Sequence, residues 1–282
     1  MTKLLRWTTF LGAAFALVLS VALVVVPEDV VRKAVAGSGP VWKDEFSGKS
    51  GTAPSPKRWN QETGGKGWGN GELQCYTQKR SNSALDGKGH LKIVARKVKG
   101  GHACDGGTTN AWTSARLSTK GLYTPTYGRV EMRAKVPKGK GTWPAFWALG
   151  ADPDVGWPEA GEFDVLEHIG RIPKMLHFTI HGADQNGEHA ALTRKKNLTK
   201  PVADAWHTYG VTWTKTSFTY TLDGKRVTTI TKAEMTKAGI SWAFDSPFYF
   251  ILNLSIGGTW PGAVDPGLTS ATLLVDWVRV YG

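Results

Sequence analysis

The segment Gly161-Glu162-Phe163-Asp164-Val165-Leu166-Glu167-His168 places three carboxylates within six residues of an otherwise apolar stretch. Paired carboxyl groups flanking a bond are what glycosidic cleavage uses, one ionised and one protonated. In a strand, residues two apart share a face, so Glu162 and Asp164 point the same way. Glu167 falls on the opposite face of a regular strand. A one-residue β-bulge near Val165 or Leu166 returns it to the shared face, and bulges are common beside active sites. The two glutamates are then about four strand residues apart, roughly 13 Å between Cα atoms. Side chains leaning together can close much of that gap. Retaining enzymes hold the two carboxyl groups about 5–5.5 Å apart and inverting ones about 6.5–9.5 Å; the spacing permits the shorter distance. Asp164 adds a third negative charge, which disfavours full ionisation of the set and raises the pKa of one member. Taken by itself, the cluster reads equally as an acidic strand face or a hard-cation site.

The neighbouring aromatics favour a sugar cleft. Trp143-Pro144-Ala145-Phe146-Trp147 and Trp157-Pro158 lie just upstream, and Trp68 and Trp260 lie in Gly-rich loops. Pyranose C–H faces stack on such rings. The chain has 13 Trp, too many for a cleft alone, so several must be core. Trp143 and Trp157 are expected to be platforms, and Trp147 to be core. His181 is placed to bond sugar hydroxyls or Asp164, and His177, on the same strand face, lies at the cleft edge. Asn70 and Glu72 in their Gly-rich loop are candidates for substrate hydroxyls, with turn chemistry the alternative. Asn253, in an apolar strand, needs a partner, which substrate or a neighbouring backbone could supply.

Strands must position these groups. Residues 129–136 alternate polar and apolar, as a half-buried strand does. Residues 91–95, 208–213, 217–222, 225–230, 248–254 and 273–281 are rich in β-branched and aromatic types, and Asp223-Gly224 marks a hairpin. A short helix is expected near 232–238. Many short strands with frequent turns give an all-β sandwich.

The N-terminus is of another kind. Lys3 and Arg6 precede an uncharged run from Trp7 to Val26, and Ala34-Val35-Ala36 offers a cleavage site. Residues 1–36 read as a cleaved signal peptide or an uncleaved membrane anchor, the tether being residues 7–26. Either puts residues 37–282, one domain by size, outside the cytoplasm, secreted or held at the outer face of the membrane. Export permits a Cys75–Cys104 disulfide, though spacing does not show that the two Cα atoms meet. The formal charge of +12 comes from scattered Lys and Arg, densest at Arg194-Lys195-Lys196, with no nucleic-acid motif among them. No nucleic-acid partner is expected, and the charge reads as solubility and surface adhesion.

These segments together resemble family 16 of the glycoside hydrolases. Glu162-Phe163-Asp164-Val165-Leu166-Glu167 matches its E-x-D-x-x-E signature, and Gly67 to Thr77 resembles its W-G-N-x-E-L-Q-x-Y-T segment. The opening Val41-Trp42-Lys43-Asp44-Glu45-Phe46, the His177–His181 strand, the stretch from Leu252 to Trp260 and the ending Val275 to Tyr281 follow in family order. The resemblance implies a β-jelly-roll sandwich of two antiparallel sheets with a concave substrate cleft. It implies double displacement at an internal β-linkage, with Glu162 as nucleophile, Glu167 as acid/base and Asp164 tuning their protonation. The branch most similar is the laminarinase-like one, endo-acting on β-1,3-glucan, without a catalytic cofactor and as a monomer. A β-galactan hydrolase, a wall-remodelling transglycosylase and a non-catalytic β-glucan-binding protein are the alternatives. The resemblance also suggests a structural Ca²⁺ at Glu45 and Asp276. Phe163 stands where the family usually has Ile, and Gly71 where a second Asn is common.

Overall fold

Two-residue alternation becomes strand after strand because each buries one face. The computed structural model describes residues 39–282, and the signal or anchor expected in residues 1–36 lies outside them. Residues Pro40–Gly282 form one compact unit. In chain order the strands are β1 (Trp42–Asp44), β2 (Asn60–Glu62), β3 (Gln74–Tyr76), β4 (Ser83–Leu85), β5 (Leu91–Ala103), β6 (Thr109–Ser114), β7 (Arg116–Ser118), β8 (Gly128–Lys135) and β9 (Thr142–Gly150). They continue as β10 (Glu162–His168), β11 (Met175–Ala183), β12 (His189–Asn197), β13 (His207–Trp213), β14 (Ser217–Leu222), β15 (Lys225–Thr231), β16 (Phe248–Ile256) and β17 (Ser270–Tyr281). Helix α1 (Lys232–Lys237) follows β15, opened by a capping box in which the Thr231 hydroxyl accepts from Glu234 N–H and the Glu234 carboxylate accepts from Thr231 N–H.

The strands build two sheets. One has the order β15-β14-β13-β8-β17-β5-β6-β3, with β1 on β17 and β4 on β5; the other runs β12-β11-β10-β9-β16-β7-β2. Pairing is antiparallel except between β3 and β6. The β14–β15 hairpin turns on Asp223 and Gly224, both with positive φ, as a two-residue turn between right-twisted strands requires. The sheets pack face to face over one core. Phe146, Phe163, Phe178 and Phe250 from the seven-stranded sheet meet Met132, Tyr209, Trp213, Phe218 and Leu273 from the ten-stranded one. Phe163 lies 5.0 Å from the Phe218 ring and 5.3 Å from Trp213. That aromatic cluster accounts for a ring where the family usually has Ile. The architecture is the expected jelly-roll sandwich.

Cys75 and Cys104 form a disulfide, with Cα atoms 5.7 Å apart. It ties β3 to the loop after β5 across 29 residues of chain. Closing a loop of that size removes unfolded-state entropy worth about 3 kcal/mol. Reduction is expected to lower the melting temperature by several degrees, read by calorimetry with and without dithiothreitol; an unchanged transition would show that the bridge adds nothing.

Candidate active site

The three carboxylates stand on β10 next to a bulge. Opposite β11, Glu162 pairs with His181 and Glu167 with His177; opposite β9, they pair with Leu149 and Ala145. Five steps along β10 thus match four steps on each neighbour. The extra residue lies between Asp164 and Leu166, where the register with β9 shifts. This is the expected bulge, and it turns Glu162, Asp164 and Glu167 to the outer face while Phe163, Val165 and Leu166 fill the core. A regular strand would have buried Glu167 among aromatics.

That outer face is the floor of a cleft of about 780 Å³. All ten residues expected at the site line it: Glu162, Asp164, Glu167, Trp143, Trp157, His181, Asn70, Glu72, Trp260 and Asn253. Trp157 is half exposed and donates from Nε1 to Glu162 Oε2 at 2.8 Å. Trp143 donates from Nε1 to Glu167 Oε1 at 3.2 Å, and Thr179 Oγ1 lies 3.4 Å from Glu167 Oε2. His181 Nε2 sits 3.2 Å from Asp164 Oδ2 and 3.8 Å from Glu162 Oε1, while its Nδ1 lies 2.8 Å from His189 Nε2. Trp260 stands edge-on to Trp143 and to His177, which is buried at the cleft edge.

Burial dominates the electrostatics. Glu162 is pushed up to about 7, first by burial and then by the Asp164 charge, against the pull of His181 and the Trp157 hydrogen bond. Glu167 is held well above the usual carboxylate range by burial and then by Asp164; Asp164 is also raised by burial. Three carboxylates this close cannot all ionise. The set therefore holds a proton at neutral pH, with both Glu162 and Glu167 raised above the usual carboxylate range.

Several expectations need correction. Trp147 is not core. It shares the parity of Trp143 and Ala145 on β9 and faces the cleft, while Pro144, Phe146 and Ala148 face inward. Glu72 is 8% exposed and occupied by protein: Gln74 Nε2 at 2.5 Å, Tyr76 Oη at 3.2 Å and Asn70 Nδ2 at 3.2 Å all donate to it. It braces the wall more than it faces a sugar. Asn253 finds side-chain partners, accepting from Trp147 Nε1 at 2.7 Å and donating to Tyr76 Oη at 3.0 Å. The donor set suggested for Ca²⁺ does not fit: Glu45 is bound by Arg279 in a two-point pair, and Asp276 by Arg133. A guanidinium against each carboxylate repels a hard cation.

The sequence reading missed Arg116, His189, Thr179, Thr193 and Lys195, which also line the cleft. Arg116 is sandwiched between the Trp68 and Trp147 rings at 4.8 and 4.7 Å and paired with Glu62 at 2.5 Å. A lone cation in the strand-like run Thr113-Ser114-Ala115-Arg116-Leu117 was the available signal.

A double-carboxylate cleft on a jelly-roll sandwich defines a glycoside hydrolase, and comparison with known proteins agrees. The family model described as glycosyl hydrolases family 16 matches residues 70–279. A "Beta-glucanase" of Rhodothermus marinus is 40% identical, over 86% of this chain and 84% of that protein. A "Glucan endo-1,3-beta-glucosidase" of Cryptopygus antarcticus is 34% identical, over 85% and 90%. The crystal structure of an endo-beta-1,3-glucanase from Pyrococcus furiosus superposes with a TM-score of 0.77 at 37% identity, covering 86% of this chain and 94% of that one. This chain belongs to family 16 of the glycosyl hydrolases.

Proposed function

We propose that the chain is a retaining, endo-acting hydrolase of β-1,3-glucan. The observation that carries the reading is the β10 bulge, which sets Glu162, Asp164 and Glu167 together on the floor of an open, Trp-walled cleft. The polymer is inferred from the β-glucanase and endo-1,3-β-glucosidase relatives. In the first step the Glu162 carboxylate attacks the anomeric carbon while Glu167 gives its proton to the departing glycosidic oxygen. A covalent glycosyl-enzyme forms. In the second step Glu167, now ionised, takes a proton from water, whose oxygen displaces Glu162. Asp164 and His181 hold Glu162 and set its charge. The protein works outside the cytoplasm, released after cleavage or tethered through residues 7–26, as the Lys3/Arg6 and apolar pattern supports, and it acts as a monomer.

The test is product release from laminarin, curdlan, lichenan, agarose and κ-carrageenan, sized by chromatography. Oligosaccharides from laminarin or curdlan support the reading. Activity on a galactan alone keeps the mechanism and overturns the polymer.

Trp157 has two contributions that can be separated. Its exposed ring offers a stacking face, and its Nε1–H holds Glu162. Trp157→Ala is expected to raise KM by roughly three- to tenfold, the value of one aromatic stack, and to lower kcat as well. Trp157→Phe keeps a ring and loses the donor, so kcat should fall with KM nearly held. Unchanged KM in the alanine variant rules the ring out as a platform.

A further inference from the structure

Across the sheet, register lines up Glu167 on β10, His177 on β11 and Lys195 on edge strand β12. Lys195 therefore stands two strand spacings from Glu167, roughly 10 Å between Cα atoms, about the reach of one or two sugar units. It lines the cleft. Among the described residues no carboxylate pairs with it, whereas its neighbour Arg194 is bound to Glu234 at 2.8 Å on the other face.

A second cation is held at Trp260 without itself lining the cleft. Arg171 donates from Nε and Nη2 to the Trp260 carbonyl, at 3.2 and 2.9 Å, and has no carboxylate partner among the described residues. Trp260 stacks edge-on against His177. His177 is 3% exposed, and its Nδ1 meets no hydrogen-bond partner in the protein. Burial, then the charges of Lys195, His168 and last Arg171, lower the His177 pKa to about 4. The imidazole stays neutral and the two positive charges go unanswered. The opposite wall differs, for there Arg116 is matched by Glu62.

We propose that Lys195, beside His177, forms an anion-accepting subsite at the β12 end of the cleft, with Arg171 adding positive charge from its seat on the Trp260 carbonyl, and that this subsite takes a carboxylate or sulfate-ester substituent on the glucan chain. It rests on the hydrolase reading and adds to it a preference among substituted polymers. Lys195 supplies the point charge on the cleft lining, and Arg171, outside that lining, adds to the positive field. The neutral His177 ring forms the edge of the subsite, with its Nδ1 enclosed by protein. Trp260 and Trp143 provide the apolar face on which the substituted ring lies.

The experiment is equilibrium binding to the Glu162→Gln protein, which retains bound chains. The probes are neutral, carboxymethylated and sulfated laminari-oligosaccharides of equal length, at low salt and at about 0.5 M salt, where exposed charges are largely screened. The anionic probes are expected to bind about two- to fivefold tighter than the neutral one at low salt, the value of a partly exposed ion pair. That advantage should vanish at high salt and in Lys195→Gln, and shrink in Arg171→Gln. A preference for only one of the two anionic probes identifies the substituent. Equal affinity for all three, no binding of any, or an advantage that survives both substitutions overturns the subsite. Laminarin hydrolysis by the wild type is scored separately: its absence refutes the β-1,3-glucan reading, while the affinity ratio still reports on the subsite.

Discussion

Replacing Glu162 by Gln is expected to lower kcat on laminarin by about 10⁴-fold or more, because the group that forms the glycosyl-enzyme is gone. The amide keeps the shape and still accepts from Trp157, so the fold should survive. Linkage gives the sign of the stability change. Burial raises the folded-state pKa of Glu162 to about 7. Its contribution to wild-type stability is full below the unfolded value near 4.5 and is lost as pH rises through 7. A neutral amide escapes that loss. The variant should melt at or above the wild-type temperature, with a gap that widens from pH 5 to pH 8. Azide supplies the decisive arm. With Glu162→Ala, azide can attack the open face of the anomeric carbon and yield the α-glycosyl azide from an activated β-glycoside. A β-glycosyl azide would assign the nucleophile elsewhere, and near-normal turnover by the folded Gln variant would remove the assignment altogether.

Glu167→Ala is expected to separate substrates by leaving group. A sugar leaves poorly without a proton, so laminarin turnover should fall by about 10²–10⁴-fold, the usual value of general acid catalysis. A dinitrophenyl β-glycoside needs no proton on its departing oxygen, and its first step should be nearly unchanged, visible as a burst before slow deglycosylation. The pH profile should change with it. Wild-type activity rises as Glu162 ionises near 7 and falls at higher pH as Glu167, held well above the usual range by burial and Asp164, loses its proton. The variant should lose the alkaline limb and keep the acidic one. An equal loss on both substrates, with both limbs intact, would make Glu167 a structural group.

Much of this site was legible along the chain because chemistry and periodicity are local. Carboxylates at 162, 164 and 167 do not fit a two-residue alternation, and the only strand that puts all three on one face contains a bulge. The strands themselves follow from alternation, and the Asp223-Gly224 hairpin from the need for positive φ. The misreading of Trp147 was also a matter of parity: Trp143, Ala145 and Trp147 share a face, so Trp147 could not be core while Trp143 was cleft.

Other features depended on which strands become neighbours. Glu72 looks like a substrate ligand until Gln74 and Tyr76 are found bonded to it. Glu45 and Asp276 look like cation ligands until Arg279 and Arg133 arrive, from 234 and 143 residues away. Arg116 becomes part of the cleft because β7 lies beside β16, which brings Trp147 and Trp68 to either side of it. Lys195 reads as one of three basic residues in a row until register with His177 and Glu167 sets it at the end of the cleft. The sequence by itself thus determined the all-β class, from alternation repeated along the chain, and the bulge that puts three carboxylates on one face; their catalytic roles came from the resemblance to family 16. Only the tertiary structure decided which polar groups remain free for substrate, because hydrogen-bond and charge satisfaction is settled between segments that the chain keeps far apart.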